Sequence, residues 1–592
     1  MKRKYHSKYK SKTKSKLENI KTPIKDIDRL KLLYFFFILA TAIIILRLFN
    51  LQIFEHSFYE ALAEGQHELY QKLFPERGEI FVQDPYSEDG YYAIVENQPK
   101  HLVYAEPKRI EDPKAAAESL SPILNIEKKE LEEKLSDSED PYEPLKKQVS
   151  DIEVEAINEL GLKGIASREE LWRYYPEAGC TSHLTGFLGI SDDEQKGQYG
   201  MEGYFNEELK GQAGYLKSEK DAGGRFLAIG DSLIEEAQNG DDIVLTIDKN
   251  IQFAICERLK TAVEKHGAKE GSVVVLEPKT GAILGMCNYP YFDPNKYSDV
   301  EDIEVFMDSI VADQYEPGSV FKVFTMAAGL DMGKVSPSTT YNDTGKVEIG
   351  NYTIQNSDGK AYGISDMTTV LIQSLNTGSI FVARQVGDEA FYQYVDKFGF
   401  GTPTGIPLAG ENKGNISSLE KMKDIYSATA SYGQGITVTP IQLAMATGAI
   451  ANDGKLMKPY LVKEVHKANG FVEELEPEEV RQVLQPATAN TLAAMMVKVI
   501  DEGHATMAAV PGYFFAGKTG TAQIPSESGG YDASRHKDTF VGFGPVSDPQ
   551  FVVMVKIDEP KDVMWSANST APLFGDIAKY LVNYLQIPPD RE

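Results

Sequence analysis

Residues 316–330 read EPGSVFKVFTMAAGL. Glu316-Pro317-Gly318 breaks the chain, and the apolar run behind it predicts a helix that opens at Ser319. Ser319 then sits near a helix N-terminus, where amides and the helix dipole favour developing negative charge. Lys322 follows three residues on, so the two side chains share a face at about 5–6 Å between Cβ atoms. A lysine placed there, partly desolvated and near a second cation, can become neutral and take the serine proton.

Two other short motifs follow in order. Ser374-Leu375-Asn376 comes after a predicted helical stretch, 367–373, and offers a hydroxyl and an amide to relay a proton and hold a carbonyl. Taken alone, these residues could equally cap that helix. Lys518-Thr519-Gly520-Thr521, behind Ala516-Gly517, predicts a strand beside the nucleophile. Its glycines flank Lys518 and would let the backbone approach a ligand closely. The amides of Ser319 and Thr521 form the expected oxyanion hole, a device commonly worth about 10²–10³ in rate. Lys518, Thr519 and Thr521 suit a substrate carboxylate.

A chain this long should hold about two Ser-x-x-Lys matches by chance, so the copies must be sorted. Ser7-Lys8-Tyr9-Lys10 and Ser11-Lys12-Thr13-Lys14 lie in a basic tail. Lys279-Thr280-Gly281 reads as a hairpin turn between strands at 272–277 and 282–286, with Gly281 suited to positive φ. Ser566-Ala567-Asn568 falls after the last Lys-Thr-Gly and is set aside on order. The set of Ser319, Ser374 and Lys518 remains in that order.

Around that set the pattern predicts an α+β fold. A strand at 243–247 leads to an amphipathic helix at 251–266 and the 272–286 hairpin. A second hairpin, 539–543 with 551–557, closes the chain, and helices fill most of 319–450. Hairpins at both ends of a helical block predict one antiparallel sheet assembled from distant segments. Upstream, 55–235 mixes charged helices, notably a solvated one in 127–147 that Asp140-Pro141 ends, with short strands near 78–82 and 91–95, and reads as a pedestal.

The N-terminus carries a membrane address. Residues 32–46 are uncharged and apolar, and the apolar character continues past Arg47 to Phe54, long enough for a span. Ten lysines and two arginines against three acids in 1–31 place that end in the cytoplasm. Ala40-Thr41-Ala42 resembles a signal-peptide cleavage site, but Ile43-Ile44-Ile45-Leu46 continues the apolar run and favours an uncleaved anchor. The expected division is a cytoplasmic tail (1–31), a transmembrane helix (32–54), the pedestal (55–235) and a catalytic domain (236–592), the last two extracytoplasmic. Net charge is −27, and the basic tail leaves the remainder near −36, which argues against nucleic acid as a partner. The three cysteines, Cys180, Cys256 and Cys287, show no metal spacing and read as small buried hydrophobes, unpaired.

These motifs together resemble the class B penicillin-binding proteins, D,D-transpeptidases that cross-link peptidoglycan. The resemblance extends to Arg77-Gly78-Glu79-Ile80, Arg173-Tyr174-Tyr175-Pro176 with His183 and Gly186, and Gly200-Met201-Glu202-Gly203. It includes Leu245-Thr246-Ile247-Asp248 with Gln252, Tyr289-Pro290 with Asp293-Pro294-Asn295, and the run from Gly433 to Pro440. It implies that Ser319 is acylated by a stem peptide ending in D-Ala-D-Ala and that Lys322 is the base. Ser374, Asn376 and Lys518 would carry the proton network, and Thr519, Gly520 and Thr521 the substrate. It implies trapping by β-lactams, no metal or organic cofactor, and a membrane-embedded glycan polymerase and other divisome proteins as partners. The chain departs from the family at Val82-Gln83-Asp84-Pro85, where Asp-Arg-Asn-Gly is usual. Ser374-Leu375-Asn376, Lys518-Thr519-Gly520-Thr521 and Phe398-Gly399-Phe400-Gly401 resemble septal more than elongation enzymes.

Three rivals stand beside this reading. A class A β-lactamase needs a deacylating glutamate in a Glu-x-x-Leu-Asn context, and none lies between Asn376 and Lys518. A carboxypeptidase shares the triad and lacks the pedestal and anchor. A non-catalytic scaffold of the wall-synthesis complex would not be expected to retain all three motifs.

Overall fold

The computed structural model describes residues 38, 41, 68–191, 194–219, 233–526 and 530–591. The expected basic tail and nearly all of the expected anchor lie outside the described residues. Among the described residues no helix is long and apolar enough to cross a membrane.

The described chain forms two compact units. The smaller contains a three-stranded antiparallel sheet of Glu68–Leu73, Gly214–Glu219 and Leu233–Glu235. The larger takes residues 74–212 and everything from 237 onward.

The larger unit is built on a five-stranded antiparallel sheet. Its strands are β1 (Glu270–Leu276), β2 (Ile283–Tyr289), β3 (Ala516–Pro525), β4 (Tyr531–Gly544) and β5 (Phe551–Asp558), in the order β2-β1-β5-β4-β3. Every residue of β5 is buried, and β1 is buried from Gly271 on. Such unbroken apolar runs need cover on both faces. Helices α1 (Lys249–Lys265) and α7 (Thr570–Tyr584) cover one face, and α5 (Pro440–Ala451) covers the other. Eleven of the twelve residues of α5 are buried, and a Thr439–Gln442 capping box starts it. The expected α+β sheet from distant hairpins is therefore present, and so are the strand (Asp242–Asp248) and helix α1 that lead into it.

The motif residues outside the site converge on one buried carboxylate. Arg77 donates to Glu202 Oε2 at 2.6 and 2.8 Å, and Arg173 donates to Glu202 Oε1 at 2.6 Å. Burial would raise the Glu202 pKa, but Arg173 and Arg77 outweigh it and hold it low. The unusual 82–85 segment also makes specific contacts: Asp84 pairs with Lys249 at 3.0 Å, and the Gln83 amide donates to Leu245 O at 2.8 Å.

The structure departs from expectation in two places. The helix expected to run from Glu127 until Asp140-Pro141 stops at Ser136, and Glu143–Val149 beyond it is a strand paired with Tyr91–Ala105. Leu145 and Val149 point into the core on that strand, a period the charged surroundings mask. Cys256 and Cys287 are buried as expected and Cys180 only partly so, but Cys256 and Cys287 form a disulfide rather than standing unpaired. Helix α1 packs on β2, which brings their Cα atoms to 5.6 Å, within bridging range. Their sequence separation of 31 gave no hint of that approach. Cys180 is a free thiol, pushed up to about 12 by burial.

Candidate active site

Ser319 opens a tight 3-10 turn, Gly318–Phe321, that runs directly into helix α2 (Lys322–Asp331). The turn needs glycine. Gly318 has φ +59°, and a Cβ there would lie 3.2 Å from Thr521 O. Gly433 sits behind it, where a Cβ would lie 2.1 Å from Gly318 O. These contacts press the Ser319 turn against β3, so its backbone runs beside the Lys518–Thr521 segment. Ser319 itself is half-buried and faces a cleft of about 1130 Å³.

Behind Ser319 lie two fully buried lysines joined through one serine. Lys322 Nζ donates to the Ser374 carbonyl and, at 3.2 Å, to Ser374 Oγ. Lys518 Nζ donates to the same Oγ at 3.0 Å and to Thr519 O at 3.2 Å. Burial, then the nearby Lys518 charge, drives the Lys322 pKa well down. Burial lowers that of Lys518 to about 7. Neither ammonium has a carboxylate beside it, so the pair readily gives up protons.

Ser374 occupies the break between α3 (Met367–Ile372) and α4 (Asn376–Val386) at φ +56°. A non-glycine residue in that region is strained, and here the conformation aims both its carbonyl and its hydroxyl at the lysines. It is thus more than the end of a helix. Asn376 lines the cleft, with its amide donating to Gln355 O at 2.8 Å.

Along β3 the side chains alternate. Lys518 and Gly520 are buried and Thr519 and Thr521 half-buried, and Lys518 Nζ still lies 3.5 Å from Thr519 Oγ1. Thr521 Oγ1 donates to Ser566 Oγ at 3.0 Å and accepts from Ser566 N at 3.1 Å. The glycines serve protein packing rather than ligand approach. A Cβ on Gly517 would meet Phe540 at 2.6 Å, and one on Gly520 would meet Pro317 O at 2.8 Å. The structure therefore brings Ser319, Lys322, Ser374, Asn376 and the 518–521 strand together around one cleft.

Sequence reasoning missed several neighbours. Ser566, discarded with its motif copy on order, returns as the partner of Thr521. Tyr432 and Gln434 form the wall facing Thr521, and Met564 and Trp565 form the exposed lip. The only signal was the Gly433–Pro440 run, quoted for the family and not for the cleft. Elsewhere, Glu270, Asp313 and Asp558 converge, with ligand atoms within 4.8 Å of one another, and Lys537 and Lys556 already bond Asp313 and Asp558.

A serine, a proton-poor buried lysine and a bridging serine beside a substrate strand define an acyl-serine transferase. Comparison with known proteins agrees. Residues 271–579 match the penicillin binding protein transpeptidase domain, and residues 72–245 match the penicillin-binding protein dimerisation domain. The chain is 32% identical over 523 residues to Stage V sporulation protein D of Bacillus subtilis, covering 87% of this chain and 79% of that one. It is 30% identical to the probable peptidoglycan D,D-transpeptidase PenA of Neisseria gonorrhoeae, over 99% and 97% of the two chains. Penicillin-binding protein 3 of Mycobacterium tuberculosis, solved with aztreonam, superimposes with a TM-score of 0.68 at 25% identity, over 88% and 98%. Penicillin-binding protein 2X of Streptococcus thermophilus shares the fold, with a TM-score of 0.74 at 24% identity over 87% and 80%. The chain belongs to the class B penicillin-binding proteins: it is a serine-type peptidoglycan D,D-transpeptidase.

Proposed function

We propose that Ser319 is the acylated nucleophile and Lys322 its general base. The observation that carries this is the buried Lys322 amine, its pKa driven well down by burial and by Lys518 and with no carboxylate bonded to it among the described residues, one helical turn from Ser319. Ser319 Oγ attacks the penultimate D-Ala carbonyl of a stem peptide and passes its proton to Lys322 Nζ. The amides of Ser319 and Thr521 receive the oxyanion. The proton crosses Ser374 Oγ to the leaving amine, D-Ala departs, and an ester remains on Ser319. A neighbouring stem's amine then attacks that ester and restores the serine. Lys518, with Thr519 and Thr521, holds the substrate carboxylate, Gly520 supplies the close packing beside it, and Asn376 faces the peptide from the opposite wall.

Fluorescent penicillin labelling with peptide mapping tests the assignment. The label should fall on Ser319 and vanish in Ser319→Ala; label elsewhere, or undiminished in the variant, overturns it. Cells carrying Ser319→Ala as their only copy test the scaffold alternative, since normal cross-linking there would make catalysis dispensable.

We further propose a single-pass inner-membrane anchor at 32–54 with the catalytic unit outside, partnered by a membrane-embedded glycan polymerase and divisome proteins. The apolar run and the basic tail support it. Protease added to intact spheroplasts should remove everything but a short anchored stub. The motif resemblances of Ser374-Leu375-Asn376 and Phe398-Gly399-Phe400-Gly401 support a septal role over elongation. Similarity to Stage V sporulation protein D supports a second reading, in which the same chemistry serves sporulation. Depletion separates these: filamentous cells fit the septal role, rounded cells elongation, and a defect confined to spores the second reading.

A further inference from the structure

The cleft that holds Ser319 has unequal ends. Around the nucleophile the lining side chains are uncharged, Asn376, Tyr432, Gln434 and Thr521 among them, with Lys322 and Lys518 buried behind them. The charged side chains of the lining itself lie at the other end, where Lys269, Arg535 and Lys561 outnumber Glu559. His536 sits among them, and burial lowers its pKa, so it adds no charge at neutral pH. Glu559 is held by Arg535 in a two-pronged pair at 2.7 and 2.9 Å. Among the described residues, neither Lys269 nor Lys561 has a carboxylate oxygen within 4.0 Å, although the Lys269 charge helps Arg535 hold the Glu559 pKa low. A cationic cleft end on a chain of net charge −27 runs against the protein's overall field.

Strand register locates this end. Gln523 on β3 pairs with His536 on β4, Lys537 pairs with Asp558 on β5, and Lys269 N donates to Asp558 O at 2.9 Å. These positions form a row across one edge of the sheet, and Lys269 ends it, three strands from the strand of Thr521. At the usual strand spacing that is about 14 Å. An extended peptide covers such a span in about four residues, and the long lysine stem shortens the gap.

We propose that Lys269 and Lys561 form a subsite for a free carboxylate carried on a stem peptide a few residues from the acylated D-Ala. This rests on the transpeptidase reading above and goes beyond it, because it names a recognised group on the substrate. The carboxylate could belong to the donor stem or to the acceptor stem. The chemistry is the same, and the two kinetic steps tell them apart. A donor group acts on the acylation step. An acceptor group acts on the partition of the acyl-enzyme between water and amine.

The test uses the whole extracytoplasmic chain with synthetic donor and acceptor stems, each made with its side carboxylate free or amidated. The wild-type enzyme should favour the free form by about tenfold, either in kcat/KM for acylation or in the aminolysis-to-hydrolysis ratio. Added salt should shrink the preference. Lys269→Gln with Lys561→Gln should abolish it by lowering the rate on free forms alone, and Lys269→Arg with Lys561→Arg should keep it. Equal rates on free and amidated stems in the wild type overturn the subsite, whatever the variants do. An equal fall on both forms in the glutamine variant also overturns it. Penicillin labelling of wild-type Ser319 is read alongside: its absence strikes the transpeptidase assignment, and its presence with no preference strikes only the subsite.

Discussion

Two pairs of buried lysines lie close together in this molecule and titrate in opposite directions. Lys322 and Lys518 meet only hydroxyl and carbonyl oxygens, and both are held below the ordinary lysine range, Lys518 at about 7. Lys537 and Lys556 meet carboxylates: each bonds Asp313 and Asp558, at 2.6 to 2.9 Å. Burial alone would lower Lys556, but Asp558 and Asp313 outweigh it and hold it up. Asp558 is in turn held at about 2, its own burial overcome by Lys556 and Lys537. Residue type matches and both pairs are largely buried. The partner decides whether the ammonium is a fixed structural charge or a proton acceptor.

Breaking each pair should therefore damage a different property, rate in one case and stability in the other. Lys322→Met should cut penicillin acylation by about 10²–10⁴-fold, the usual reach of a general base, with little loss of fold. Stopped-flow acylation beside a denaturation curve separates the two effects. If Lys322→Met unfolds the protein instead, the contrast between the pairs is gone. Lys556→Met should do the reverse. It strands Asp313 and Asp558 with Lys537 alone, and breaking such a buried network costs about 3–5 kcal/mol. Urea unfolding reads this directly, and an unchanged midpoint would mean the cluster is not structural.

The pH profile sharpens the comparison further. Lys518 loses its charge as pH rises through about 7. Acylation by a substrate bearing a terminal carboxylate should then fall in kcat/KM, by about tenfold per pH unit at the limit. A substrate analogue lacking that carboxylate should show no such limb, and a shared limb would remove Lys518 from carboxylate recognition.

The active-site pair was legible in the sequence and the structural pair was not. Ser319 and Lys322 share a helical turn, so their spacing alone predicts their meeting. Ser374 and Lys518 were found by order, after copies in the tail, a hairpin turn and the C-terminal loop had been set aside. Lys556 and Asp558 share a strand face two residues apart, but Lys537 reaches them only through sheet register and Asp313 only through the loop after Ser309–Ala312, which no local period encodes. The same limit hid the disulfide, which depends on how α1 lies on β2. It also hid the contact of Ser566 with Thr521, which depends on the loop before α7 folding back onto β3. The left-handed conformation of Ser374 was invisible too, because serine carries no local signal for positive φ.

The smallest expected effect tests the comparison most closely, since it asks whether the catalytic pair carries a stability penalty. Lys518 titrates near 7 in the folded chain and near 10.4 when unfolded. Between those values the unfolded chain binds more protons, so stability rises with pH across that window. Below about 7 the folded chain must hold a buried ammonium with no carboxylate, and the penalty is fully present. Replacing that ammonium with a side chain of similar length removes the penalty at the loss of the hydrogen bonds to Ser374 Oγ and Thr519 O, the first of which Lys322 still satisfies. Lys518→Met should therefore be more stable than the wild type by about 1–3 kcal/mol at pH 6.5, and the gain should shrink towards zero near pH 10.5. Paired urea titrations at the two pH values measure it. A gain that does not depend on pH would mean that the introduced methionine merely packs better, and a loss at pH 6.5 would mean that Lys518, like Lys556, is held by partners that want its charge.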